Sequence, residues 1–331
     1  MLKISFQTEI TFIDHLVSKD HPYRKLLALI NFDLLCYDLK YISNNHKSGR
    51  KDYTVIQYFK MLLLQYMEDL SDRELERFLR ENLAAKLFCD FTLSSKTPDH
   101  SLFGYIRHKI GTKRLADIFN KVRDSLKDKG LIREIFTFVD SSQLISKINF
   151  WNERDRLIKA GIDKYNNAVL KYKNNKSKFK DNQARFGCKG NKNYWYGYKR
   201  HVSLDMQSGL INKIAVTSAD QGDDKTVKHI LPNQGAVYGD KGYCTKYAKV
   251  AIARKHLHNC TIKKHNMLGK NKDKDRWISK MRSPYERVFS KIPKHTYYKG
   301  IAKNQFAEFM RGLAFNFKRL TIIEAPPLKL S

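Results

Sequence analysis

Two acids that close apolar runs are the groups in this chain best suited to chemistry. Asp140 follows Ile135-Phe136-Thr137-Phe138-Val139, and Asp240 follows Ala236-Val237-Tyr238-Gly239. Runs rich in β-branched and aromatic residues read as strands. If the two strands are neighbours, their carboxylates converge at one edge of a sheet, where open α/β sheets bind ligands. Glu286 is the third acid, in a helical stretch able to cross that edge. Three carboxylates are hard oxygen donors of the kind magnesium takes, and they leave positions for water and phosphate oxygens. Two ions held in this way can activate an attacking oxygen and stabilise a leaving one. Each acid also has a plain structural reading. Asp140 can end a strand, Asp240 can hold a turn before Gly242, and Glu286 can pair with Arg282 one helical turn away, worth roughly tenths of a kcal/mol.

The charge balance bears on which substrate such acids would meet. The chain has 331 residues, with 63 Lys and Arg against 33 Asp and Glu, a formal net charge of +30. That excess draws polyanions and speeds encounter with them, nucleic acid first among them. Hydrophobic residues make up 42%, enough for a sizeable core. No uninterrupted apolar run is long enough to span a bilayer, so no membrane role is expected. Five cysteines without a C-x-x-C pair favour reduced thiols and a cytoplasmic setting. A phosphate-binding G-x-x-x-x-G-K-[ST] loop is missing from the sequence, so no nucleotide cofactor is expected.

The elements that must position the acids fall into two parts. Residues 1–130 read as helical. Tyr23–Lys40 and Thr54–Tyr66 have helical periodicity, and Ser71-Asp72-Arg73-Glu74 is a capping box. Thr97-Pro98-Asp99-His100 starts a further helix, and Thr112 caps one that runs to Lys129 and stops at Gly130. This basic helical region is a candidate for contact with DNA ends. From 131 to 320 the order is strand, insertion, two strands joined at Ser208-Gly209, then helix, strand, helix, strand, helix, and a last helix over Lys303–Leu320. That mixture suits a central sheet with helices on its faces. The insertion, at about 152–193, is polar and basic and reads as loop or partly helical; Asp181 is the lone acid between Lys171 and Arg200. Residues 321–331 form a tail.

Several blocks, taken in order, resemble those of one known family. Tyr238-Gly239-Asp240-Lys241-Gly242-Tyr243 is similar to the G-D-x-G-Y block of bacterial insertion-sequence transposases. Phe138-Val139-Asp140-Ser141-Ser142 resembles the block around their first aspartate. Arg282-Ser283-Pro284-Tyr285-Glu286 resembles their R-x-x-x-E block. Ser71–Leu75 and Lys96–His100 resemble stretches of the N-terminal region in the insertion sequence five group. The resemblance runs over roughly residues 10 to 320. It implies a DDE transposase with an RNase H-like α/β domain behind an all-helical N-terminal region. It further implies cleavage at transposon ends and strand transfer into target DNA. Asp140, Asp240 and Glu286 would be the catalytic and metal-binding triad, with two Mg2+ ions for which Mn2+ substitutes. The partners implied are terminal inverted repeats and target DNA, bound by a homo-oligomer in the bacterial cytoplasm at the nucleoid. The alternative is a catalytically inactive, transposase-derived DNA-binding protein.

Candidate DNA contacts are Arg282, Lys199, Arg200, Tyr243, Lys291 and Lys294. Many relatives carry a lysine where this chain has Pro293, and Lys291 and Lys294 flank that position. Tyr243 has two readings, contact with a DNA end or packing beside the strand. Tyr194, Trp195, Tyr196 and Tyr198, next to Lys199 and Arg200, can stack on bases or pack in the core. His256, His258, Cys260 and His265 are zinc-ligand types, but their spacing matches no strong zinc pattern.

Overall fold

The structure, a computed structural model, describes residues 12–42, 53–146, 181, 183–189, 193–264, 266–290, 292–323 and 325–328. The chain divides into two compact units, Met1–Arg114 with Phe317–Ser331, and Leu115–Asn316.

The first unit is helical. Helix α1, Pro22–Leu29, opens on a proline, whose missing N–H costs nothing in a first turn. The periodic stretch Tyr23–Lys40 does not form one helix. The backbone extends at Ile30, and Asn31 caps a separate turn, Phe32–Leu35, by accepting from the Leu34 amide at 3.1 Å. An asparagine side chain competes for backbone amides and suits a cap better than a helix interior. Helix α2, Val55–Met67, starts in a capping box between Thr54 and Gln57. Helix α3, Asp72–Glu81, starts in the expected box, with Glu74 N–H donating to Ser71 Oγ at 3.3 Å and Ser71 N–H to Glu74 Oε2 at 2.8 Å. Helix α4, Leu83–Phe88, is capped by Asn82. Helix α5, His100–Asp128, begins at the expected start and leaves helical geometry at Gly111 (φ 70°, ψ 159°). Phe59, Leu62, Leu63, Leu75, Leu79, Phe88 and Phe103 are buried in this unit. Arg107 donates to both oxygens of Asp72, at 2.8 and 2.6 Å, and joins α5 to the start of α3.

The second unit holds a mixed sheet. Its strands are β1 (Phe136–Ser146), β2 (Arg185–Lys189), β3 (Asn193–Asp205), β4 (Ile211–Ser218), β5 (Ala236–Gly239), β6 (His258–Thr261) and β7 (His295–Thr296). The strand order is β2-β3-β1-β5-β6, with β4 on β3 and β7 on β1. β1, β3 and β4 are antiparallel in succession, and β5 and β6 add parallel to β1. A parallel pair needs a long crossover, and α6, Lys246–Ala253, supplies the one between β5 and β6. α7, Lys272–Ser290, and α8, Ile301–Ile322, follow. This is an RNase H-like mixed sheet flanked by helices, as the order of periodicities implies.

Several details differ from expectation. β1 does not end at Asp140 but runs six residues further, because β3 continues to pair with it as far as Ile145. The expected basic insertion lies largely outside the described residues, but its last part forms β2, paired with β3. Asp181, the lone acid between Lys171 and Arg200, is buried and accepts from the Tyr198 hydroxyl at 2.6 Å. Asp223–Leu231 is not one helix but a turn of α-helix, Asp223–Thr226, followed by a turn of 3-10 helix. Trp195, Tyr196 and Tyr198 are all buried, so both faces of β3 are covered there and the aromatic run packs.

Candidate active site

The register of the sheet decides where the acids go. Phe136 pairs with Ala236, Thr137 with Val237 and Phe138 with Tyr238, a constant offset of 100 residues. Carried two residues on, the same offset sets Asp140 level with Asp240. Neighbouring strands lie about 4.8 Å apart, so the two acids stand side by side where β5 stops and β1 continues. Asp240 remains extended (φ −76°, ψ −175°) and caps the short turn that follows, accepting from the Gly242 amide at 2.8 Å. Asp140 accepts from the amide of Ser141 at 2.8 Å.

Side chains alternate across a strand. Val139 and Val237 therefore face one side, where they pack with Tyr243, Ala248 and Ile252. Phe138 and Asp140 face the other, toward α7. Tyr285 of α7 stacks with Phe138, its ring centroid 6.1 Å away, and its hydroxyl donates to the Met206 carbonyl. Arg282 lies over the same Phe138 ring at 5.4 Å and donates to Glu286 Oε1 at 3.0 Å. The Arg282 side chain is 8% exposed and that of Glu286 is 52% exposed. Arg282 thus rests on the sheet and holds the glutamate at the edge.

Burial, with the negative charges of Asp240 and Glu286, pushes the Asp140 carboxyl up to about 7, against the pull of the Ser141 amide and the Arg282 guanidinium. In this state the carboxyl is held back from ionising mainly by its loss of water, with the two other acids adding to it. A bound divalent ion would reverse that balance. The donor set, all carboxylate oxygen, fits a hard ion such as magnesium. The three acids are not drawn onto one point, since Glu286 is turned to Arg282. Among the described residues, Glu76, Asp99 and His100 in the first unit do have ligand atoms within 4.8 Å of one another. There His100 Nδ1 lies 2.8 Å from Glu76 Oε2 and Asp99 accepts from the Ser101 amide at 2.8 Å, so the cluster reads as the fixing of the α5 start.

The remaining candidates fare differently. Arg200 is corrected: it is buried, not open to DNA. It donates to Glu308 at 2.9 Å, to Ser142 Oγ at 3.0 Å and to the Pro293 carbonyl at 3.3 Å. A desolvated guanidinium needs such partners; α8 supplies the charged one, Glu308, and β1 and the segment before β7 supply the others. Lys199 is engaged with Asp223 Oδ1 at 3.1 Å and the Gln221 carbonyl at 2.9 Å. Tyr243 is buried in the core behind the acids, which favours its packing reading over contact with DNA. Lys294 is exposed, and Lys291 lies outside the described residues. α7 ends at Ser290, before Pro293, after which β7 pairs with β1. His265 lies outside the described residues, so the His/Cys group cannot be assembled from the others. Sequence reading missed Asp223, whose neighbours include Gly242 and Lys199.

Two family models match the chain. A transposase domain, DUF772, matches residues 11–109, and a transposase DDE domain matches residues 162–300. The first covers the helical unit. The second contains Asp240, Arg282 and Glu286, while Asp140 lies ahead of it. Together they support a DDE transposase, a class that cuts and joins DNA and generally uses divalent metal ions. No solved structure matches the chain significantly. Among the described residues no helix is long and apolar enough to cross a membrane.

Proposed function

We propose that this chain is a transposase that cleaves DNA at the ends of its element and joins the freed 3′ ends to target DNA. In this reading Asp140, Asp240 and Glu286 are its catalytic carboxylates. The observation that carries the reading is the β1–β5 register, which levels Asp140 with Asp240 at the edge that α7 crosses with Glu286. Bound among these acids, two divalent ions, Mg2+ by preference with Mn2+ as substitute, would supply the Lewis acidity for an in-line displacement at phosphorus.

The chain's own residues have separate tasks. Asp140 and Asp240 are fixed by backbone amides and stay put. Glu286 is the most exposed of the three and is held by a single guanidinium, so it is the acid free to turn inward. Arg282 then keeps one partner, the Phe138 ring, and can offer its charge to a DNA phosphate. Lys294, on the exposed segment past α7, is a further candidate for the DNA backbone. Membership of the insertion sequence five group, end binding by the helical unit and assembly as a homo-oligomer on paired ends complete the proposal, in a bacterial cytoplasm at the nucleoid.

The test is cleavage of DNA carrying the element's own ends, with Mg2+, with EDTA, and with Asp140→Asn, Asp240→Asn and Glu286→Gln. Metal-dependent nicks at the ends that fall at least about a thousandfold in each variant, with end binding retained, are expected. Replacing Asp140 by its neutral isostere also removes an unfavourable charge, so the metal-free variant should melt no lower than the parent at pH 8. Cleavage that survives all three substitutions rejects the site. End-specific binding without cutting under any metal would favour a non-catalytic DNA-binding protein.

A further inference from the structure

Asp223 opens the single helical turn that follows β4. Three contacts fix it there. Its neighbour Asp224 accepts from Thr245 Oγ1, the cap of α6, at 2.9 Å. Thr226 Oγ1 donates to the Gly222 carbonyl at 3.2 Å and closes the turn. Lys199 Nζ donates to one Asp223 oxygen, Oδ1, at 3.1 Å. The other oxygen, Oδ2, is thereby turned toward Gly242. A Cβ built on Gly242 would lie 3.8 Å from Asp223 Oδ2 and 2.9 Å from Asp240 Oδ1. Two carboxylates from different elements thus flank the same small point beside the second aspartate.

A second observation concerns Tyr243. Its hydroxyl is fully buried and makes no well-formed hydrogen bond. The charged groups it feels are Asp223, Asp140 and Asp240, which with burial push the phenol well above its ordinary range, while the Ser141 hydroxyl pulls it back. The buried hydroxyl belongs to the core that includes Val139 and Val237, beneath the two strand-end acids. It also marks a polar spot that the protein's own groups leave incompletely satisfied, which calls for explanation in a folded core.

Strand alternation separates the approaches of the acids. Glu286 comes from the face that carries Phe138. Asp223 comes from the face of Val139 and Tyr243, which it shares with Lys199 and His201, paired across to Gln143 and Ser141. Asp240, at the end of β5, and Asp223 meet only at the turn that holds Gly242.

We propose that Asp223 is a fourth acid of the cation site, held by Lys199 so that its free oxygen serves a divalent ion beside Asp240. The proposal rests on the reading of Asp140, Asp240 and Glu286 as the metal-binding acids. Lys199 then has a role other than contact with DNA: it orients Asp223 and offsets one charge at the acidic edge. A side chain at Gly242 would press on Asp240 Oδ1, 2.9 Å from its Cβ, and displace that carboxylate.

The test is Mn2+ binding to the full chain without DNA, followed by electron paramagnetic resonance, with each variant's melting curve in EDTA as the control for folding. Asp223→Asn should bind Mn2+ roughly tenfold more weakly or worse, within the range of losses when a group supporting a metal site is removed. Asp223→Glu should recover part of the loss. Lys199→Met breaks the same ion pair but leaves the acid, and should weaken Mn2+ binding less than Asp223→Asn does. If Asp223→Asn does not fold, Asp223→Ser is read in its place. Unchanged Mn2+ affinity in a folded Asp223 variant overturns the proposal. An equal loss in Lys199→Met also overturns it, since the ion pair and not the acid would then matter. Asp240→Asn separates the two levels. If it loses Mn2+ while Asp223→Asn does not, only the fourth acid is rejected. If it keeps Mn2+, the triad reading itself fails.

Discussion

At the scale of single residues, Asp72 and Asp140 ionise in opposite directions for reasons visible in their surroundings. Both are partly desolvated, which raises a carboxyl. Asp140 has two further acids for neighbours and ends high. Asp72 has the Arg107 fork and the Gln65 amide, whose hydrogen bonds outweigh burial and hold it below the usual carboxylate range. A carboxyl depressed in the folded state adds stability above its unfolded value, near pH 4, and that stability fades as the pH falls through the folded value. Asp72→Asn should therefore cost about 2 kcal/mol at neutral pH, and the cost should shrink as the pH falls below about 4. Urea unfolding across that range checks it. A cost that stayed level with pH would mean that packing, not charge, is what Asp72 contributes.

At the scale of elements, Arg200 shows how a basic residue next to a DNA-facing edge can belong to the fold instead. It lies in β3, and its partner Glu308 lies in α8, which also donates to Glu308 through Arg311. Burial would raise the Glu308 carboxyl, but the two guanidinium groups hold it below its ordinary value. Removing one member of a buried pair leaves the other desolvated and alone, at a cost of about 3–5 kcal/mol. Arg200→Ala should unfold at markedly lower urea than the parent. Lys294→Ala, at an exposed position, should melt like the parent and weaken only DNA binding. Equal melts for the two would put Arg200 back among the surface cations.

At the scale of the whole molecule, the +30 charge is spread along a chain whose catalytic candidates are acids. On the proposed reading, cations away from the acidic edge hold the phosphate backbone so that the edge can approach it. Counterion release then makes binding steep in salt. With about 6–10 phosphate contacts, affinity for end DNA should fall roughly 10³–10⁵-fold between about 50 and 200 mM salt. A titration by fluorescence anisotropy reads the slope. A shallow slope would mean that most of the excess charge is not used on DNA.

The sequence by itself determined the fold class, most of the elements and which acids are candidates. The Ser71 box, the stop at Gly130 and the strands around Asp140 and Asp240 rest on local propensity and periodicity, which need no distant partner. The ordered blocks around Asp140, Asp240 and Glu286 were legible for the same reason. Only the tertiary structure decided what those residues meet. The parallel register of β1 and β5 levels two acids far apart in the chain. The continuation of β1 past Asp140 depends on β3, and the interruption of the first helix depends on Asn31 finding a free amide. Arg200 and Lys199 are adjacent and both basic, yet opposite faces of β3 send one to Glu308 and the other to Asp223. Charge and spacing cannot carry that distinction, because it arises when strands pair and each face acquires its own neighbours.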